Sequence, residues 1–272
     1  MKNITIILSS IILILLIISG AYFWRKNNTD NTKITRNIKI DDNNIQLKVG
    51  TAADFPPFTF RDENDQIIGF DIDIVKEVAK RIKADIDIID RPFSMLLTQA
   101  QLGQLQIIAA GISATKEREK HIRFTKPYLE QNPLIIISPK NKNINIKNIE
   151  DIKSKNVIVN TGYITDTYIS NLPEDYHINI IRLSKVQDSI IALNHNKGDV
   201  FVTTKIALSP YLKGENQNKY NIFQIPGTSE TTSLAVSKHV PQELFDKIQQ
   251  ALDAMKTDGT LEKFKEKWNL LT

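Results

Sequence analysis

Residues 45 to 49 alternate apolar and polar positions, Ile45-Gln46-Leu47-Lys48-Val49, which is the period of a half-buried strand. Pro56-Pro57 stops any regular continuation. From Gly69 the period changes. Phe70, Ile74, Val75, Val78, Ala79 and Ile82 recur at helical spacing, with Asp71 placed to cap or charge the first turn. Ala84 to Ile89 alternates again, Phe93 to Leu102 predicts a helix stopped by Gly103, and Leu105-Gln106-Ile107-Ile108-Ala109 is a short apolar run of strand type. Strand, helix, strand, helix, strand in this order predicts a parallel sheet, and open α/β sheets bind ligands at the carboxyl ends of their strands.

The pattern then restarts. Pro133 to Ser138 reads as a buried strand whose entry marks a crossover, and Asn156 to Asn160 reads as another. Thr161 to Thr165 forms a turn, Asp166 to Ser170 the first turns of a helix, Ile178 to Leu183 a strand, Val186 to Leu193 a helix and Gly198 to Thr204 a strand. Asn221 to Ile225 and Ser233 to Ser237 are the last strands. Pro226-Gly227 breaks the chain between them, where a second crossover belongs. Pro241 suits a first helical turn, and Leu244, Phe245, Ile248, Ala251, Leu252 and Met255 form one stripe ended by Gly259. Leu261, Phe264 and Trp268 line the next helix. Both stripes read as core packing against the first half.

Residues 45 onward thus hold two α/β halves, a size that 272 residues with 41% hydrophobic content can fill. Ahead of them, Asn3 to Trp24 carries no charge and is dominated by Ile and Leu, long enough to span a bilayer. Residues 1–24 are therefore either a secretory signal, with Ser19-Gly20-Ala21 offering small residues for cleavage, or an uncleaved membrane anchor. Residues 25–44 are polar and aperiodic, as a tether is. Of 35 Lys and Arg, six fall within residues 1–40, and of 31 acids only Asp30 does, leaving 29 basic against 30 acidic residues beyond. The positive balance therefore lies in residues 1–40, the rest being nearly neutral, and no nucleic-acid partner is expected. With no cysteine there is no thiolate site, disulfide or lipid-modified cysteine; the four His residues lack metal-ligand spacing, so neither metal nor cofactor is expected.

The chemistry concentrates in Ala109-Ala110-Gly111-Ile112-Ser113-Ala114-Thr115-Lys116-Glu117-Arg118. Gly111 lies where the strand gives out and lets another group approach the backbone, Ser113 offers a hydroxyl, and Arg118 offers a planar fork matched to a carboxylate. Val49 to Phe58, Gly69-Phe70-Asp71-Ile72-Asp73 and Phe124-Thr125-Lys126-Pro127-Tyr128 accompany this stretch. In order and spacing the series resembles the solute-binding proteins of polar amino acid ABC transporters, from about Ile45 to Leu270.

The resemblance implies a two-lobed periplasmic-binding-protein fold of α/β class, its ligand cleft lying between lobes joined by a two-stranded hinge. Lobe 1 would comprise residues 45–133 and 232–272, and lobe 2 residues 134–231. In lobe 1, Ala110, Gly111, Ser113 and Arg118 would take the ligand carboxylate, the Gly111 contribution being its amide. Phe55 and Phe93 would cover the side chain or, alternatively, be core rings; Asp54 would be a contact or a turn residue. From lobe 2 the turn Tyr163, Ile164 and Thr165 would close on the same carboxylate through backbone amides, although the family often has hydroxyl residues at Tyr163 and Ile164. Thr204 stands where members that bind α-amino acids commonly carry an Asp for the ligand ammonium. Either Asp166 or Glu230 reaches in instead, or the ligand is not an ordinary α-amino acid. Ala52, at the place of a common acidic contact, argues against a cationic side chain.

The function expected is non-enzymatic capture of a small carboxylate-bearing solute, an amino acid by preference, and its delivery to a membrane permease. The protein would be an exported monomer of the periplasm, whether secreted or anchored in the inner membrane. Two rivals remain: a cyclohexadienyl (prephenate-type) dehydratase on the same fold, which needs a proton donor in the cleft, and a ligand-sensing domain held by the leader.

Overall fold

The computed structural model describes residues 45–216 and 218–271. The leader and tether expected over residues 1–44 lie outside the described residues, among which no helix is long and apolar enough to cross a membrane.

The first half begins with β1 (Ile45–Thr51), whose burial alternates from Ile45 to Val49 as its sequence does. A small meander follows, β2 (Asp54–Phe55), β3 (Thr59–Arg61) and β4 (Ile67–Ile68), in the stretch expected to be loop. Next come α1 (Phe70–Arg81), β5 (Ala84–Asp90), α2 (Phe93–Gln101), β6 (Ile107–Ile108), the four-residue α3 (Lys116–Glu119) and β7 (Ile122–Phe124). The sheet order is β5-β1-β6-β15-β7, where β15 (Ala235–Ser237) enters from the far end of the chain. β1 runs parallel to β5 and β6, as the strand-helix alternation requires, and β15 runs antiparallel to its neighbours. Both sides of α1 are not equal: Phe70, Ile72, Ile74, Val75, Val78 and Ala79 are buried and Lys76 and Lys80 face water.

The second half repeats the scheme with β9 (Leu134–Pro139), β10 (Asn156–Asn160), α4 (Ile164–Ser170), β11 (Asn179–Leu183), α5 (Val186–Asn194), β12 (Val200–Thr204), the short α6 (Lys205–Leu208) and β13 (Tyr220–Gln224). Its sheet order is β11-β10-β12-β9-β13, around a core that includes Leu134, Ile136, Val157, Val159, Val200 and Val202. Two short strands join the halves. β8 (Leu129–Asn132) leaves the first and β14 (Glu230–Thr232) returns to it, paired antiparallel with Glu230 opposite Asn132. The fold is the two-lobed α/β architecture with a two-stranded connection that the family resemblance implied. The chain ends in α7 (Gln242–Thr257) and α8 (Thr260–Lys267), whose buried residues Leu244, Ile248, Ala251, Leu252, Met255 and Leu261 follow the expected stripe. Asp73 on α1 fastens α8 by accepting hydrogen bonds from Lys267 Nζ and Trp268 Nε1.

Candidate functional site

The loop after β6 sits at the carboxyl end of the first sheet, and its shape is set by two groups far away in sequence. Gly111 has φ +62, and a Cβ there would meet Phe55 Cε1 at 2.6 Å, so the ring lies directly on the loop backbone. Beneath it, the Gly111 amide donates to Asp71 Oδ2 at 2.6 Å. That donor is therefore committed inside the lobe, which corrects the expectation that the Gly111 amide faces a ligand. Asp71 likewise makes no side-chain cap on α1. It is fully buried, and burial raises its carboxyl to about 7 although the Gly111 amide and the neighbouring Tyr128 hydroxyl pull it down. Ala110 is buried in the first lobe's core beside Ile108 and Ile112.

Arg118, on α3, turns back over this loop. Its Nη1 donates to the Ser113 carbonyl at 2.7 Å and its Nη2 to the Gly162 carbonyl at 2.9 Å, the second bond crossing from one lobe to the other. Its guanidinium carbon stands 5.8 Å from the centre of the Phe93 ring. The Ser113 hydroxyl donates to Glu230 Oε1 at 2.7 Å, and Asn132 Nδ2 donates to Glu230 Oε2 at 3.0 Å. Glu230 is 8% exposed, and desolvation raises its carboxyl to about 7 against the opposing pull of Ser113, Arg118 and Asn132.

From the second lobe, Tyr163 inserts between the aromatic rings of the first. Its ring meets Phe55 edge-on at 5.2 Å and Phe93 at 4.6 Å, while Phe55 stacks on Phe58 at 5.1 Å. The Tyr163 amide donates to the Asn160 carbonyl, so it is not the free donor expected there; α4 begins one residue later, with no side-chain cap over Ile164 and Thr165. The small cavity between the lobes, about 10 Å³, is lined by Phe55, Tyr163, Ile164, Thr165, Thr203, Thr204, Ala207 and Glu230. That is room for about one water molecule, so a larger solute could enter only if Tyr163 withdrew or the lobes parted. Thr204 caps α6 by accepting from the Ala207 amide at 3.4 Å. Asp54 lies at the rim, half-buried and 4.0 Å from Lys185; burial raises its carboxyl, Lys185 opposes, and Asp90 and Asp188 add to the rise.

Of the two acids weighed as substitutes at Thr204, Glu230 lines the cavity and Asp166 does not. Asp166 accepts from the Gly162 amide, Ser170 and Arg182, which occupies both of its oxygens. Sequence reasoning missed Asp71 as the anchor of the loop and Asn132 as a partner of Glu230. Asp71 stood in the Gly69-Phe70-Asp71-Ile72-Asp73 motif without a partner assigned to it, and Asn132 stood only beside an expected element boundary. A wider groove of about 310 Å³ lies outside the cleft, between Pro127–Gln131 and the C-terminal helices. It gathers charges of both signs, Glu130, Lys256 and Glu262 among them, and none of the groups at the lobe boundary.

A two-lobed architecture with an arginine, two aromatic rings and a buried carboxylate gathered at the lobe boundary has relatives. The model of the bacterial extracellular solute-binding proteins, family 3, matches residues 47–271. The chain belongs to that family. As a family member it is 30% identical over 224 residues to the arginine-binding extracellular protein ArtP of Bacillus subtilis (strain 168), covering 82% of this chain and 86% of the relative. Among solved structures, an ancestral arginine-binding protein bound to arginine is 32% identical with a TM-score of 0.75, covering 82% of this chain and 97% of that one. The ancestral amino acid-binding protein AncCDT-1, a precursor of cyclohexadienyl dehydratase, is 28% identical with a TM-score of 0.72, covering 82% and 95%.

Proposed function

We propose that this protein binds a free amino acid between its lobes, outside the cytoplasm, and delivers it to the permease of an ABC transporter. The observation that carries the reading is Arg118. Its guanidinium is held in the lobe boundary by two backbone carbonyls rather than by an acid, so its charge remains available to a carboxylate. Ser113 stands beside it, Phe55 and Phe93 form the wall, and Tyr163, Ile164 and Thr165 close from the other lobe with Thr204 at the far side. Ala110 shapes the loop from within. Ligand contacts made in the closed form alone shift the population towards it, and the permease reads that shape. Lobe 1 is taken as residues 45–133 and 232–272, lobe 2 as 134–231. The protein acts as a monomer in the periplasm, with residues 1–24 serving as signal peptide or inner-membrane anchor and 25–44 as tether.

The test is a thermal-shift screen of the purified protein against the twenty standard amino acids. A ligand that binds only the folded state raises its melting temperature. Arg118→Ala should abolish the shift from the best ligand, since a charge-assisted contact contributes roughly 1.5 to 3 kcal/mol and its loss weakens binding about 10- to 150-fold. An unchanged shift refutes the assignment.

One observation favours a second reading. Glu230, raised to about 7, supplies a proton donor within the cleft, and AncCDT-1 is a precursor of a dehydratase. Incubation with prephenate separates the readings: turnover to phenylpyruvate makes the protein an enzyme, and no turnover together with an amino-acid shift leaves it a binding protein.

A further inference from the structure

The reading above assigns a pole for the carboxylate of an amino acid and none for its ammonium. We propose that Glu230, on the strand returning through the hinge, is the anionic partner of the ligand ammonium and so selects amino acids over carboxylic acids that lack one. The inference rests on the amino-acid reading and adds a specificity-determining residue to it.

Among the described residues lining the cavity between the lobes, Glu230 is the one carboxylate. Its hydrogen-bond donors are both neutral, the Ser113 hydroxyl and the Asn132 amide, one on each oxygen. Arg118 acts on it through space, with two of its nitrogens spent on the carbonyls of Ser113 and Gly162. A carboxylate removed from water whose hydrogen-bond donors are all neutral is incompletely compensated even with Arg118 nearby, and an entering ammonium adds positive charge in direct contact together with spare donors for the carboxylate's remaining lone pairs. The competing acids are engaged elsewhere. Asp166 is held by Arg182, Asp54 stands at the rim near Lys185, and Asp71 lies under the loop with its Oδ2 on the Gly111 amide. Thr204 offers a hydroxyl that already caps α6.

The position also links the group to the moving parts. Ser113 belongs to the first lobe's loop, and Asn132, opposite Glu230 in the hinge pair, accepts from the Ile206 amide at the start of α6 in the second lobe. Arg118 and Glu230 are near enough for each charge to act on the other, and a zwitterion needs such a pair of opposite poles.

The test is isothermal titration of the full chain and of Glu230→Gln with L-arginine, L-glutamine and their des-amino analogues, 5-guanidinopentanoate and glutaramate. The amide variant keeps the shape and both hydrogen-bonded neighbours. Expected is a loss of at least about 30-fold in affinity for whichever amino acid binds, with much less change for its des-amino analogue, so that the preference for the amino acid collapses. A purely structural role would weaken both ligands alike, and that result, like an unchanged preference, overturns the proposal. If Arg118→Ala loses binding while Glu230→Gln does not, the amino-acid reading stands and this inference falls. If neither amino acid binds the wild-type protein with either pole intact and no other standard amino acid shifts its melting temperature, both fall together.

Discussion

At the scale of single residues, the site is built by contacts between groups remote in sequence. The Gly111 amide and the Asp71 carboxylate are 40 positions apart, and Ser113 and Glu230 are 117 apart. The residue types at Gly111, Ser113 and Arg118 were legible because their spacing and chemistry are local. Their actual partners were not, since periodicity carries no information about which distant acid faces a loop. Gly111→Ala places a methyl group against the Phe55 ring at a backbone angle unfavourable for alanine. It should cost about 1 to 3 kcal/mol in urea denaturation and weaken ligand binding as the ring shifts; a variant of wild-type stability would contradict the close packing. Asp71 gives a pH prediction. Its folded value, raised by burial to about 7, exceeds the ordinary 3.8, so the folded state binds the extra proton between them. Its stabilising contribution is complete below about pH 4 and is lost as pH rises through about 7. Measured against Asp71→Asn, wild-type stability should fall across that window by up to about 1.4 kcal/mol per pH unit and level off above it. A constant difference from pH 4 to 8 would show that the carboxyl is not so perturbed.

Among elements, the long helices and the strands of both sheets other than β7 were readable, because amphipathic α1 and α7 and the alternating β1 repeat their period several times. The meander β2 to β4 and the hinge strands β8 and β14 were not. Two to four residues cannot display a period, and these strands exist through their pairing. The element that decides the state of the cleft is the turn before α4. Tyr163 packs against Phe55 and Phe93, while Gly162 accepts the Arg118 hydrogen bond, so one turn supplies two contacts that hold the lobes together. Tyr163→Ala should therefore give a larger radius of gyration than wild type by small-angle scattering when both are measured without ligand. Equal values would mean that other contacts, such as Lys185 with Asp54, hold the lobes by themselves.

At the scale of the whole molecule, two sheets of matching construction meet across a pair of strands, and the groups that close on a solute already bond one lobe to the other. On the proposed function, an entering amino acid would replace the Arg118 bond to Gly162 and displace the Tyr163 ring, and its affinity would be the surplus over those contacts. The sequence pattern implied two α/β halves and the family resemblance a cleft between them; how the lobes meet depended on side chains from separate segments. The most direct test is a crystal structure of the protein with its best-binding amino acid. The account predicts the ligand carboxylate within hydrogen-bond distance of the Arg118 guanidinium and Tyr163 moved from its place between Phe55 and Phe93. A ligand seated elsewhere, with Arg118 still on the Gly162 carbonyl, would contradict it.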